Sequence, residues 1–316
     1  MIKIKKLFSV IPIPMAAVAL ACSSLGNLLN PYSWILKAIC GITSLFLITL
    51  VLLKFVFCFD KVKKEFQNPI ILSVSASIFM TIMMLATYLD LLPNMENIAK
   101  IIWFIAFILH ILLILFFTYK LMFKLDLSHV YPTCFVTYVG IVVAAITSPK
   151  FDALLLGQIV FWIGFLLYII IFILVTIRYF KHEIEEHAKP LLCIYAAPMS
   201  MSLVGYLTVI PFPNTKLVLV MQLLAQILYV FVLFNLPRLL RLSFYPSYAA
   251  FTFPFVITPF ALTQFKSYIV NNFNVEIVGI VELIINVETS IAILIVLYVI
   301  IEYMKFLKKE IKIIFN

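Results

Sequence analysis

Ten windows of roughly 20 apolar residues follow one another along this chain, near 10–29, 35–58, 69–92, 98–119, 131–149, 154–180, 190–210, 216–236, 246–266 and 276–303. A bilayer core is about 30 Å thick and an α-helix rises 1.5 Å per residue, so each window has the length of one crossing. Inside hydrocarbon a backbone must satisfy its own amides and carbonyls, which leaves the helix as the natural solution for windows of this length. The sequence therefore predicts an all-α integral membrane fold with ten transmembrane helices. The connections are short, so residues 1–316 are read as a single transmembrane domain.

Composition agrees. Apolar residues make up 65% of the chain and charged residues 12%. A soluble core cannot absorb that much apolar surface, which excludes soluble, disordered and nucleic-acid-binding classes. The five cysteines, Cys22, Cys40, Cys58, Cys134 and Cys193, lie in or beside apolar stretches without paired spacing, as small apolar residues do. The opening Met1-Ile-Lys-Ile-Lys-Lys and the later Ala19-Leu-Ala-Cys22 imitate a lipoprotein signal. Pro12 and Pro14, and the nine windows that follow, predict an uncleaved first helix instead.

The net charge of +9 has a topological reading. With the N-terminus in the cytoplasm, only Lys37, Lys100, Lys150, Lys216 and Lys266 of the 23 Lys and Arg fall outside. Lys3, Lys54, Lys61, Lys124, Arg178, Arg238, Lys305 and the rest fall inside, as the positive-inside rule requires. Both termini are expected to be cytoplasmic, with the basic excess facing anionic lipid headgroups.

The windows alternate in character. The odd-numbered ones are far richer in Ala, Gly, Ser, Thr, Cys and Pro, which suit close helix contacts or a polar passage. The even-numbered ones, such as Ile101-Ile-Trp-Phe-Ile-Ala-Phe-Ile-Leu, are bulky and apolar all round, as lipid-facing helices are. Each odd window also starts at a proline, Pro14, Pro69, Pro132, Pro190 and Pro246, at intervals of 55 to 63 residues. Proline suits a first helical turn, where its missing N–H would have no partner anyway. Eight residues on stand Cys22, Ser77, Gly140, Pro198 and Pro254; seven residues on stand Ala21, Ala76, Val139, Ala197 and Phe253. This phase and spacing predict five helical hairpins, with five parallel inner helices around a central pore. In the seventh-position ring Phe253 is the one bulky aromatic, and it is predicted to plug the bore.

The stretch Phe251-Thr-Phe-Pro-Phe255, with the Pro14-x-x-Ala-x-x-Leu-Ala21 opening of the first helix, resembles the tellurite-resistance/dicarboxylate transporter (TDT) family, whose members are TehA-like proteins and slow-type anion channels. The resemblance covers residues 10–303. It implies ten helices in five hairpins of quasi-fivefold arrangement, and a pore-occluding phenylalanine on the ninth helix. Phe253 matches that gate, with Phe251 and Phe255 as fallbacks. It further implies transport of small inorganic or dicarboxylate anions, a homotrimer, and a multi-pass protein of the cell membrane, of bacterial inner-membrane type.

The residues add their own arguments for anions. Parallel inner helices turn positive dipole ends toward the cytoplasmic mouth. Ser23, Ser24, Ser77, Thr137, Ser200 and Thr252 are hydroxyls that can replace hydration, and Lys150 and Lys266 stand at the outer mouth. The pore-lining candidates are thus Ala21, Ser24, Ala76, Ser77, Val139, Gly140, Ala197, Pro198, Thr252 and Pro254. Glu282 and Glu288 in the tenth window support an alternative, proton-coupled transport of dicarboxylate, sulfite or tellurite-type anions. His110 in the fourth window is read as an inter-helix hydrogen-bonding group. His182-Glu-Ile-Glu-Glu-His187 lacks the i, i+4 histidine spacing of a zinc helix and is read as a solvated loop. No metal or cofactor is expected. No His, Arg and Asp cluster at one membrane face as a membrane acyltransferase needs, so no catalytic residue is assigned. The basic amphipathic tail Lys305-Phe-Leu-Lys-Lys-Glu-Ile-Lys-Ile-Ile is expected to lie on the inner leaflet.

Overall fold

The structure, a computed structural model, describes residues 2–122, 127–273 and 279–315. Lys124 and residues 276–278 of the last window lie outside them. The described residues are mostly helical, with no β-strand among them. Among the described residues nine helical segments are long and apolar enough to cross a membrane, and a tenth, shorter apolar helix precedes them. We label them α1 (Met15–Leu29), α2 (Trp34–Phe57), α3 (Pro69–Leu89), α4 (Glu96–Met122), α5 (Thr133–Phe151), α6 (Leu154–Lys181), α7 (Glu186–Val209), α8 (Thr215–Leu239), α9 (Pro246–Phe273) and α10 (Ile280–Phe315).

The alternation in the sequence becomes two layers. In α3, α5, α7 and α9 the apolar crossing stretch is 78–83% buried, and in α1 every residue except Asn27 is buried. In the even helices that share falls to 28–39%. The inner helices form a closed circuit: α1 packs on α3, α3 on α5, α5 on α7, α7 on α9, and α9 returns to α1. Each even helix covers the inner helix before it and touches the next, so α2 lies against α1 and α3, and α10 against α9 and α1. Exposed Leu, Ile and Phe stud the outer faces, as at Ile105, Leu155, Leu223 and Leu294. A layer of that composition is stable only where lipid replaces water.

Polar groups pin the layers together. His110 Nε2 of α4 reaches the Thr137 carbonyl of α5 at 2.9 Å, the inter-helix bond expected of it. Trp103 Nε1 donates to Thr147 Oγ1 at 2.7 Å, and Tyr88 donates to the Ser23 carbonyl. The deepest cation is Lys54 on α2, whose ammonium donates to the Ile11 carbonyl at 2.6 Å and to both oxygens of Glu65 at 2.7 and 2.8 Å. One buried charge thereby ties the segment before α1, the outer helix and the link to α3.

Four inner helices are interrupted, and the sequence explains how. Pro254 has no N–H, and its ring would collide with the residue 250 carbonyl in a continuous α-helix. The chain accordingly runs as a 3-10 turn over Pro246–Phe251 and restarts as an α-helix at Phe253. Pro198 does the same in α7, which is 3-10 over Glu186–Ala196 and α-helical from Ala197. α3 breaks at Ser75, and α5 breaks around Gly140, which has no room for a side chain.

The tail departs from expectation. It does not turn aside as a separate leaflet helix; α10 is continuous over 36 residues. At 1.5 Å per residue that is about 54 Å, well beyond a bilayer core, so its last turns project past the membrane on the side of the termini.

Candidate functional site

Two cavities share the axis of the inner ring. The first, of about 390 Å³, opens on the side of both termini and runs between the inner helices. Its mouth carries Lys54, Lys61, Glu65, His187, Tyr245 and Glu310, while deeper walls are formed by Ala17, Leu20, Ser77, Ala197, Pro198 and Pro254. Tyr245 donates to Glu186 Oε1 at 3.1 Å, and bonding to that carboxylate pushes the Tyr245 hydroxyl above its ordinary range. The second cavity, of about 260 Å³, opens on the opposite side, with Ser24, Asn27, Lys37, Thr87, Thr147 and Lys150 in its wall.

Among the described residues, Phe253 alone lines both. It is 7% exposed and stands where the second half of α9 begins, so the break at Thr252 sets its backbone at the meeting point of the cavities. The flanking aromatics are engaged elsewhere. Phe251 packs on Tyr248 with centroids 4.7 Å apart, and Phe255 meets Tyr229 edge-on at 5.5 Å; neither lines a cavity. The lining of the terminal-side cavity that Phe253 shares includes the slim residues Ala17, Ser77, Ala197 and Pro198, along with the larger Leu20, Met80 and Met201.

The other sequence candidates distribute as follows. Ser24 is in the far-side wall, and Ser77, Ala197, Pro198 and Pro254 are in the terminal-side wall. Ala76, Val139, Gly140 and Thr252 are buried one step behind, at helix contacts, and line neither cavity. Ala21 is also buried away from both, and a register difference explains it. Thr81 of α3 donates to the Ala16 carbonyl at 3.1 Å just as Thr258 of α9 donates to the Ala196 carbonyl at 3.5 Å. Ala16 therefore occupies the level of Ala196, and the residue level with Ala197 and Phe253 is Ala17, not Ala21. Pro14 enters its helix four residues late relative to Pro190.

The ionisable candidates lie outside the bore. Glu282 is exposed and paired with Lys266, so that lysine is neutralised at the surface. Glu288 is buried beside Gln226 and Tyr229, and its Oε2 has no hydrogen-bond partner, but it lines neither cavity. Of the six hydroxyls singled out from the sequence, five bond to backbone carbonyls, Ser23 to Leu20, Ser77 to Val74, Thr137 to Ser73, Ser200 to Ala196 and Thr252 to Ala249; Ser24 has no partner. Sequence reading missed Lys37 and Asn27, whose position only the packing of α1 against α2 reveals. It placed Lys54 and Arg178 by charge alone, although a cation inside an apolar window already signals a buried partner.

The arrangement amounts to two mostly apolar cavities, with cations among their lining residues and Phe253 in the lining of both. Comparison with known families matches residues 9–302 to the SLAC1 family, described as voltage-dependent anion channel. No curated protein matches the chain.

Proposed function

The chain belongs to the SLAC1 family of voltage-dependent anion channels, part of the TDT family, and from that premise we propose that it passes small anions through the central bore with Phe253 as its gate. The observation that carries this reading is the place of Phe253 between two cavities that open on opposite sides. In the proposed mechanism the five inner helices form a quasi-fivefold ring within a ten-span, single-domain fold. The restarted helices at Ala76, Ala197 and Phe253 point positive ends toward the waist, a field that favours an anion there without holding it on a fixed charge. A phenyl ring swinging about its own side-chain torsions opens the waist, toward cavity walls that include the small Ala17, Ser77 and Ala197.

Topologically the proposal sets both termini and the larger cavity in the cytoplasm of a cell membrane, of bacterial inner-membrane type, with three copies assembling as a trimer. The charge distribution supports the orientation. Replacing Phe253 with Ala is expected to raise anion current in planar bilayers by an order of magnitude or more; an unchanged current removes Phe253 from the gate. A proton-coupled carrier is the second reading, favoured by the buried, half-satisfied Glu288. The same recordings separate the two, since a channel's current follows the anion gradient alone, whereas a carrier's flux collapses with the proton gradient.

A further inference from the structure

The far-side cavity holds an arrangement that gating by Phe253 does not use. Serines in membrane helices ordinarily bond back to a carbonyl one turn earlier, as Ser23 does to Leu20 at 3.0 Å. Its neighbour Ser24 is 6% exposed, lines the cavity, and its Oγ has no partner. Asn27, one turn on, gives its amide only to Met84 Sδ at 3.2 Å, a weak acceptor. Thr87 and Thr147, in the same wall, already spend their hydroxyl protons on the Met84 and Val143 carbonyls.

Two ammonium groups close the site. Lys37 Nζ stands 5.1 Å from the centre of the Tyr88 ring, and Tyr88 is itself held by its bond to the Ser23 carbonyl. Lys150 Nζ lies 3.8 Å from Asp90 Oδ2, beyond hydrogen-bond distance. Neither ammonium donates a hydrogen bond to a described residue. By contrast Lys100 and Lys266, the other cations on this side with acidic neighbours, contact Asp152 and Glu282 directly. Asp90 does not line the cavity but lies beside Lys150, and two lysines against that one aspartate leave the wall and this neighbour with one net positive charge. A monovalent anion neutralises that wall; a dianion leaves an uncompensated negative charge against Phe253, Val256 and Phe260.

We propose that this cavity is a binding site for one monovalent inorganic anion, of the size of chloride or nitrate, held by Lys37 and Lys150 over the Ser24 hydroxyl. It rests on the transport reading and adds to it a holding site at the outer entrance, built from Lys37, Lys150 and Ser24. Bound there, the anion waits directly beyond Phe253 and loses part of its water to Ser24 and Asn27 before the waist opens.

The test separates binding from passage. Purified protein in lipid nanodiscs is titrated with chloride and followed by chloride-35 line broadening, with nitrate and sulfate as competitors, for wild type, K37Q/K150Q and S24A. Saturable broadening is expected in wild type, displaced by nitrate at least tenfold more effectively than by sulfate. Affinity is expected to fall at least tenfold in K37Q/K150Q and about threefold in S24A. Lys150 is a surface side chain, so K150Q alone keeps the fold intact and is expected to lose several-fold. Unchanged broadening in K150Q and K37Q/K150Q, or stronger displacement by sulfate, overturns the site. Binding lost in K37Q/K150Q, with no anion current in wild type or Phe253→Ala, supports the site and overturns the transport reading; current without saturable binding overturns the site alone.

Discussion

Lys54 shows what a single side chain is asked to do at the edge of a membrane. Its side chain is 1% exposed, and burying an ammonium costs several kcal/mol unless a counter-charge and acceptors surround it. Glu65 and the Ile11 carbonyl supply them, so the ion pair fixes the segment that leads into α1. Removing one partner leaves the other charge stranded. Glu65→Gln is expected to destabilise by about 3–5 kcal/mol, whereas Lys54→Met with Glu65→Leu is expected to recover most of that loss. Thermal unfolding in detergent, followed by tryptophan fluorescence, checks the order: wild type and the double variant close together, the single variant well below. A single variant that melts with wild type means the pair is solvated and carries no structural weight. Phe253 belongs to the same scale but a different logic, because its burial is a matter of position in the bore and not of compensation. Its neighbours Phe251 and Phe255 are equally aromatic and more deeply buried; what distinguishes Phe253 is that it lines the cavities while they pack on Tyr248 and Tyr229.

At the scale of the helix, the breaks in the inner layer are legible in the sequence only where proline makes them. Pro198 and Pro254 announce their interruptions, because a missing amide leaves no other choice. The break in α5 has no such marker and rests on Gly140. A β-carbon there would fall 2.1 Å from the Val136 oxygen and 2.6 Å from Met80 Sδ of α3. The methionine can give way, but the α5 backbone cannot. Gly140→Ala is therefore expected to cost about 1–3 kcal/mol, with the loss visible as a lowered melting temperature in detergent. If the variant melts with wild type, α5 has slack at the break that its packing does not suggest. The register of α1 was illegible for a related reason. Proline fixes where a turn can begin, not how far into the membrane the helix starts, so equal spacing from Pro14 leads to Ala21 while the cross-helix bonds to Ala16 and Ala17 set the true level. The distinction between inner and outer helices, in contrast, is written in every window, since lipid selects bulky apolar faces and close packing selects small ones.

The whole molecule adds a constraint that no single helix carries. The five inner helices meet in a closed circuit with the other five packed outside it, and since one outer helix separates each inner helix from the next, the proposed ten-span topology has all five cross in the same direction. Every connection on the side of the termini then faces one compartment, and that side holds Lys61, Lys63, Lys64, Lys189, Arg238 and Arg241 as well as the projecting end of α10 with Lys305, Lys308, Lys309 and Lys312. The opposite side is sparse in cations, and there Asp152 and Glu282 contact Lys100 and Lys266 directly, while Asp90 lies 3.8 Å from Lys150. Basic connections resist translocation and adhere to anionic headgroups, each contributing on the order of 1 kcal/mol at the surface. A C-terminal green fluorescent protein after Asn316 is accordingly expected to fluoresce in bacterial cells. Alkaline phosphatase inserted at Asn214, in the connection between α7 and α8, is expected to be active, since that connection lies on the far side. Because the inner helices run parallel, reporters in the five connections of one side must agree with one another. Two reporters from the same side that disagree break the parallel ring itself, while a full set that agrees but is reversed breaks only its orientation, exchanging the roles of the larger cavity and of the Lys37–Lys150 vestibule without moving Phe253 from the waist between them.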